Sequence, residues 1–244
     1  MLGLPDGVTA CLFDMDGVIT QTAKVHDAAW KEMFDDFLRS WSTAHNEEFV
    51  PFDPVHDYDE YVDGKPRLEG TASFLESRGI KLPTGSQDDP AGTQTLWGLS
   101  NKKNDLVQHV IDRDGVQAYE GSVRYVKAVR AAGLKTAIVS SSANTVAVLK
   151  AAGVSGLFEA RVDHQVAEAR HLHGKPAPDT FLEAARMLGT AAANAVVFED
   201  ALAGVAAGHA GHFGFVVGVD RVGQADQLRA HGADAVVKDL AELL

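Results

Sequence analysis

The chain has 244 residues, more than one ordinary domain needs but readily accommodated by a core carrying one inserted module, and its 45% hydrophobic content is enough for a substantial interior. A formal net charge of -12 argues against a nucleic-acid or anionic-membrane surface, although a local basic pocket can still take an anionic metabolite. A single cysteine, Cys11, excludes an internal disulfide, no early apolar run resembles a signal peptide, and no stretch of about twenty apolar residues could span a bilayer; a cytoplasmic monomer is expected.

Apolar residues 8–13 read as a strand that runs into Asp14-Met15-Asp16-Gly17, two acids at i and i+2 before a glycine turn. Side chains at i and i+2 of an extended segment point the same way. Asp14 and Asp16 can therefore address one centre from the strand's carboxyl end, where open α/β sheets bind ligands. Two nearby carboxylates suit metal binding or acid/base chemistry, and an ordinary Asp-rich turn is the alternative on spacing alone.

From residue 22 to 120 strand patterns vanish and 26–38, 70–78 and 99–111 read as helices. Residues 53–67 are irregular and hold Tyr58, Tyr61, Lys65 and Arg67; residues 81–95, with two prolines and two glycines, read as an exposed connector. Further strands are expected at 135–140, 195–198, 214–219 and 233–237. Helices are expected at 122–132, 145–152, 178–188 and 201–210, stopped by Gly133, Gly153, Gly189 and Gly211. This alternation implies an α/β core, a doubly wound, Rossmann-like, mostly parallel sheet flanked by helices. The core would comprise 1–21 and 121–244, with 22–120 as an inserted helical cap.

Three later segments carry chemistry, each at the end of an expected strand or the start of a helix. Ser140-Ser141-Ser142-Ala143-Asn144 closes one strand with three hydroxyls, more than the capping of the next helix requires. Lys175 lies between Gly174 and Pro176 before a helix, where a loop lysine is ordinarily solvated. Glu199 and Asp200 are adjacent acids that repel when confined unless a cation or hydrogen bonds intervene; hard oxygens of this kind suit Mg2+. Their alternative reading is helix capping.

Taken in order and spacing, Asp14-Met15-Asp16-Gly17-Val18-Ile19 with Thr22, His26 and Trp30, the serine run, His173-Gly174-Lys175-Pro176 and Glu199-Asp200 resemble the haloacid dehalogenase-like superfamily. The likeness is to its β-phosphoglucomutase-like family in particular and covers nearly the whole chain. It implies a cap that closes over the sheet and excludes water, with a sugar phosphate as substrate. By the same resemblance Asp14 is the nucleophile that forms an aspartyl phosphate and Asp16 the general acid/base. Ser140 and Lys175 hold the transferring phosphoryl group, and Mg2+ is held by Asp14, the Asp16 backbone carbonyl and Asp200, with Glu199 ligating or supporting through water.

Substrate contacts are implied for Thr22, His26, Trp30, Ser141, Ser142 and Asn144, with Arg67 gripping the second phosphate and Lys103 facing the sugar. His26 would report cap closure to Asp16, with a core or hinge histidine the alternative. Solvated charge is the plain alternative for Arg67 and Lys103. One departure stands out: Ala143 occupies the place of a family lysine between Ser142 and Asn144, which weakens the second-phosphate site. The expected reaction is interconversion of β-glucose 1-phosphate and glucose 6-phosphate, the alternative a magnesium-dependent sugar-phosphate phosphatase. A catalytically silent binding protein is disfavoured because Asp14 and Lys175 are both intact.

Overall fold

The computed structural model describes residues 2–244, which fold as two compact units. The first takes the chain up to Thr22 together with Gly64–Pro66 and Val116–Leu244; the second holds Ala23–Asp63 and Arg67–Gly115. Thr22, residues 116–120 and the short return at 64–66 thus group with the sheet rather than with the insert. The connecting segments are tied to each other, which accounts for the first two: Thr20 bridges Ala118, Gln21 N donates to Gln117 O and Tyr119 N donates to Ile19 O.

The first unit is built on a six-stranded, all-parallel sheet, order β3-β2-β1-β4-β5-β6. The strands are β1 (Ala10–Phe13), β2 (Lys135–Val139), β3 (Ala160–Val162), β4 (Ala195–Glu199), β5 (Phe215–Val219) and β6 (Ala235–Val237). Central β1 is buried throughout, as a parallel strand covered on both faces must be. Ala10 and Leu12 join Val139, Val197 and residues of α7 (Asp179–Met187) and α8 (Leu202–Ala210) in one apolar cluster. Phe13 turns to the opposite face, stacks on Phe198 at 4.5 Å between ring centroids, and meets Tyr125 of α4 (Glu120–Ala131).

Strand β3 and the six-residue helices α6 (His164–Ala169) and α9 (Ala225–Ala230) were not foreshadowed by the sequence. Each is too short to establish a hydrophobic period. Helix α5 (Thr145–Ala151) forms as expected. Gly133, Gly153 and Gly189 take the left-handed conformation that stops a helix, but Gly211 does not: its φ is -77°, and His212 at φ 53° makes the left-handed turn.

The second unit comprises α1 (Ala23–His45), α2 (Arg67–Ser77) and α3 (Leu96–Asp114). The stripe Trp30, Met33, Phe34, Phe37 and Leu38 buries one face of α1 against Phe52, Phe74 and Leu99. Helix α1 continues past the expected end at residue 38 because Trp41 packs on Phe37 and His45 stacks on Trp41. Helix α3 starts at Leu96, where Thr95 Oγ1 accepts from Gly98 N and caps it. Within the stretch read as irregular, Tyr58–Val62 forms a π-helical turn, preceded by Asp57, which accepts from Arg78 Nη2 at 2.7 Å and from Asp53 N. Residues 81–95 form an exposed connector without helix or strand. Among the described residues no helix is long and apolar enough to cross a membrane.

Candidate active site

Strand β1 stops at Phe13, and Asp14 N donates to Phe198 O, so Asp14 sits at the sheet's carboxyl edge beside β4. Asp16 lies beyond the strand. Its position comes from a tight loop in which Ile19 N and Thr20 N both donate to Met15 O and Gly17 N donates to Thr20 O. The alternation of an extended segment therefore does not align the two acids; the folded loop does. Thr22 Oγ1 donates to Asp16 Oδ1, and the Thr20 and Thr22 hydroxyls lie 2.8 Å apart.

Lys175 is not solvated. It is 1% exposed, and its Nζ is ion-paired with both Asp14 and Glu199, which are themselves buried. Asp14, Glu199 and Asp200 each present a carboxylate oxygen within 4.8 Å of the others. Burial pushes the Asp14 carboxyl well above the usual carboxylate range; Lys175 opposes the rise, whereas Glu199 and Asp16 add to it. Burial alone would lower the Lys175 ammonium, but Asp14 and Glu199 outweigh it and keep the group charged.

Three carboxyl groups converge where Lys175 is the paired cation, so any two or more of them that ionise leave a surplus of negative charge in a confined space. Hard oxygen donors with that deficit fit one divalent cation such as Mg2+. Two glycines make the crowding possible. A Cβ at Gly17, which has φ +83°, would fall 1.6 Å from Asp200 Oδ2, and one at Gly204 would fall 1.9 Å from Glu199 Oε1.

The serine run lies at the end of β2. Ser140 is buried and its Oγ accepts from Ser142 N; Ser142 Oγ accepts from Asn144 N, each at 3.1 Å. Both hydroxyls keep their protons for donation to another partner. Asn144 precedes α5 without a side-chain cap of its own, whereas Ser142 meets the backbone at the start of that helix. Ser141 turns its hydroxyl to Gly64 O at 2.8 Å. Glu199 also accepts from Ala201 N, at the start of α8, so its helix-end contact coexists with the Lys175 pair.

The insert residues form a second group within their own unit. Lys103 Nζ donates to His26 Nδ1 at 2.7 Å and lies 4.6 Å from the Trp30 ring centroid. Lys103 is only 5% exposed, which overturns the solvated-charge alternative for it. Arg67 opens α2 with its guanidinium 5.7 Å from the Trp97 ring, and its carbonyl accepts from Thr71 and Ser100. Trp97 was not singled out by the sequence. Nor were Arg221 and Gln224, whose side chains reach the backbone at Gly17 and Asp200; their only signal is a place just beyond a strand's carboxyl end.

A parallel sheet with acids at the carboxyl ends of β1 and β4, a buried lysine between them, and a helical insert after the first acidic loop defines the class. The chain belongs to the haloacid dehalogenase-like hydrolase family, whose sequence profile matches residues 8–212. Within that family it is 55% identical, over 247 aligned positions covering all of this chain and 94% of each relative, to proteins of Mycobacterium bovis and Mycobacterium tuberculosis named β-phosphoglucomutase. The crystal structure of a β-phosphoglucomutase from Clostridium difficile matches with a TM-score of 0.75 at 25% identity, covering 97% of this chain and 93% of that one.

Proposed function

We propose that this protein is a magnesium-dependent β-phosphoglucomutase that interconverts β-glucose 1-phosphate and glucose 6-phosphate through an aspartyl phosphate on Asp14. The observation that carries this reading is the 55% identity, along the whole chain, to two proteins of that name. The site chemistry agrees with it.

Asp14 attacks phosphorus in line and, as a carboxylate, needs no general base. The Lys175 ammonium favours its ionised form and offsets repulsion between an anionic nucleophile and an anionic substrate. Ser140 donates its hydroxyl to the phosphoryl oxygens. Asp16, oriented by Thr22, protonates the leaving oxygen and then takes a proton from the attacking hydroxyl, a service worth roughly 10²–10⁴-fold. Asp14, Asp200, Glu199 and the Asp16 carbonyl would hold Mg2+, which when bound neutralises charge on the transferring group.

Arg67, Ser142 and Asn144 take the second phosphate, for which the planar guanidinium fork is suited. Lys103, kept between His26 and Trp30, and Thr22 complete the sugar-facing set. The enzyme acts as a cytoplasmic monomer on a free sugar phosphate, with no nucleic-acid or membrane partner.

A phosphatase reading draws on one observation: Ala143 leaves the second-phosphate segment without its own cation. A phosphorus NMR time course separates the two. With β-glucose 1-phosphate, magnesium and a trace of the 1,6-bisphosphate, glucose 6-phosphate should accumulate; inorganic phosphate alone would establish the hydrolase.

A further inference from the structure

We propose that Arg221 and Gln224, on the loop after β5, are positioning residues that hold the two acid-bearing loops of the site in register by gripping one backbone carbonyl on each. Arg221 Nε donates to Gly17 O at 2.7 Å, immediately after Asp16. Gln224 Nε2 donates to the carbonyl of Asp200 itself at 3.0 Å. These loops lie so close that Gly17 admits no side chain beside Asp200, yet both carry negative charge. Like charges held together push the loops apart, and two neutral carbonyls are the handles by which a clamp can resist that push without neutralising the acids.

The clamp is itself held. Asp220 Oδ1 accepts from Gly223 N at 2.6 Å and Gln224 N at 2.8 Å, fixing the loop that presents both donors. The Arg221 guanidinium lies 3.6 Å from the Tyr119 ring centroid, and its Nη1 donates to Lys238 O at 2.7 Å. Asp239, the carboxylate beside it, belongs to a capping box with Glu242 at the C-terminal turn. Only arginine's planar fork serves a carbonyl on one side, a second carbonyl on the other and an aromatic face at once. Partners that orient ligand-bearing groups in this way are typically worth about 10–100-fold in metal affinity or activity.

The inference rests on the reading that these loops hold a divalent cation, and its test separates the two. Mn2+ binding to metal-free protein is titrated by electron paramagnetic resonance without any sugar phosphate, alongside urea unfolding and steady-state kinetics. Arg221→Lys and Gln224→Leu should unfold cooperatively, as the parent does, yet bind Mn2+ about 10–100-fold more weakly and lose kcat by a similar factor with KM nearly unchanged. Val222→Ser, at an exposed position on the same loop, should match the parent throughout. Folded variants with parental Mn2+ affinity and kcat overturn the proposal, as do variants that lose stability while their folded fraction binds Mn2+ normally, and so does a parent that binds no Mn2+. If the parent binds Mn2+ and the variants lose it while β-glucose 1-phosphate is not turned over, positioning stands and the mutase reading falls.

Discussion

The ammonium of Lys175 is ion-paired with the carboxylate of Asp14, 161 residues away in the chain, with both groups buried at the carboxyl edge of the sheet. Removing one partner of a buried pair leaves an uncompensated charge, which costs on the order of 3–5 kcal/mol. Lys175→Met should therefore lower the unfolding free energy of metal-free protein by an amount in that range, read as a lower urea midpoint, and magnesium should restore part of it by binding the folded state. An unchanged midpoint would mean that the pair adds nothing to folding. Turnover should be lost in either case.

Asp14→Asn should abolish turnover on every substrate and leave the far-ultraviolet circular dichroism spectrum intact, because the amide cannot form the phosphoenzyme. Asp16→Asn should separate substrates by leaving group. Sugar phosphates, which need a proton on departure, should lose roughly 10²–10⁴-fold, and an activated aryl phosphate much less. Equal losses on both would make Asp16 a structural residue.

Exhaustive chelation should stop turnover and added magnesium should restore it, since hard carboxylate oxygens crowd one point at Asp14, Glu199 and Asp200. Asp200→Ala should raise the magnesium concentration needed for half-maximal rate. Gly17→Ala should act similarly without removing a carboxylate, because its methyl would collide with Asp200 and its φ of +83° strains any side chain, at about 1–3 kcal/mol. Full activity after chelation would remove the metal assignment.

Arg67→Ala should lower mutase turnover on the order of 10²-fold while sparing hydrolysis of acetyl phosphate, which has no second phosphate to hold. Ala143→Lys should tighten activation by the bisphosphate. Parallel losses on acetyl phosphate and β-glucose 1-phosphate in Arg67→Ala would show that Arg67 serves the fold instead.

Cys11 offers a pH test away from the chemistry. Burial pushes its thiol from 9.0 up to about 12, so the folded state keeps a proton that the unfolded state releases first. Stability from this group is complete below pH 9 and declines as pH rises toward 12, by a few kcal/mol in total on the order of 1.4 per unit. Urea midpoints from pH 8 to 11 should fall more steeply for the parent than for Cys11→Ala. At pH 8 an aromatic disulfide reagent should label Cys11 only after unfolding; rapid labelling of folded protein would contradict the burial.

Strands β1, β2, β4, β5 and β6 were legible to within a residue or two at most ends because continuous apolar runs between turn signals are local patterns. Strand β3 was not, since three residues with Arg161 at their centre have no period to read, and it exists because β2 offers it an open edge. Helix α1 was read as ending at residue 38 for a related reason. Arg39, Ser40, Ser42 and Thr43 dilute its apolar stripe, and Trp41 and His45 continue the helix through contacts with each other and with Phe37.

At the site, residue order alone determined which side chains were worth naming: acids and hydroxyls at strand ends and one lysine before a helix, each a short local pattern that carries no information about what lies opposite. Tertiary structure decided what each one meets. It buried Lys175 between Asp14 and Glu199, placed Asp16 by a loop in place of strand parity, and turned Ser141 toward Gly64. It also brought Arg221 and Gln224 to the backbone of the two acidic loops. Local sequence encodes periodicity and turn chemistry over a few residues, whereas burial, charge pairing and the grip on a distant carbonyl arise only when parallel strands bring together segments up to 204 residues apart.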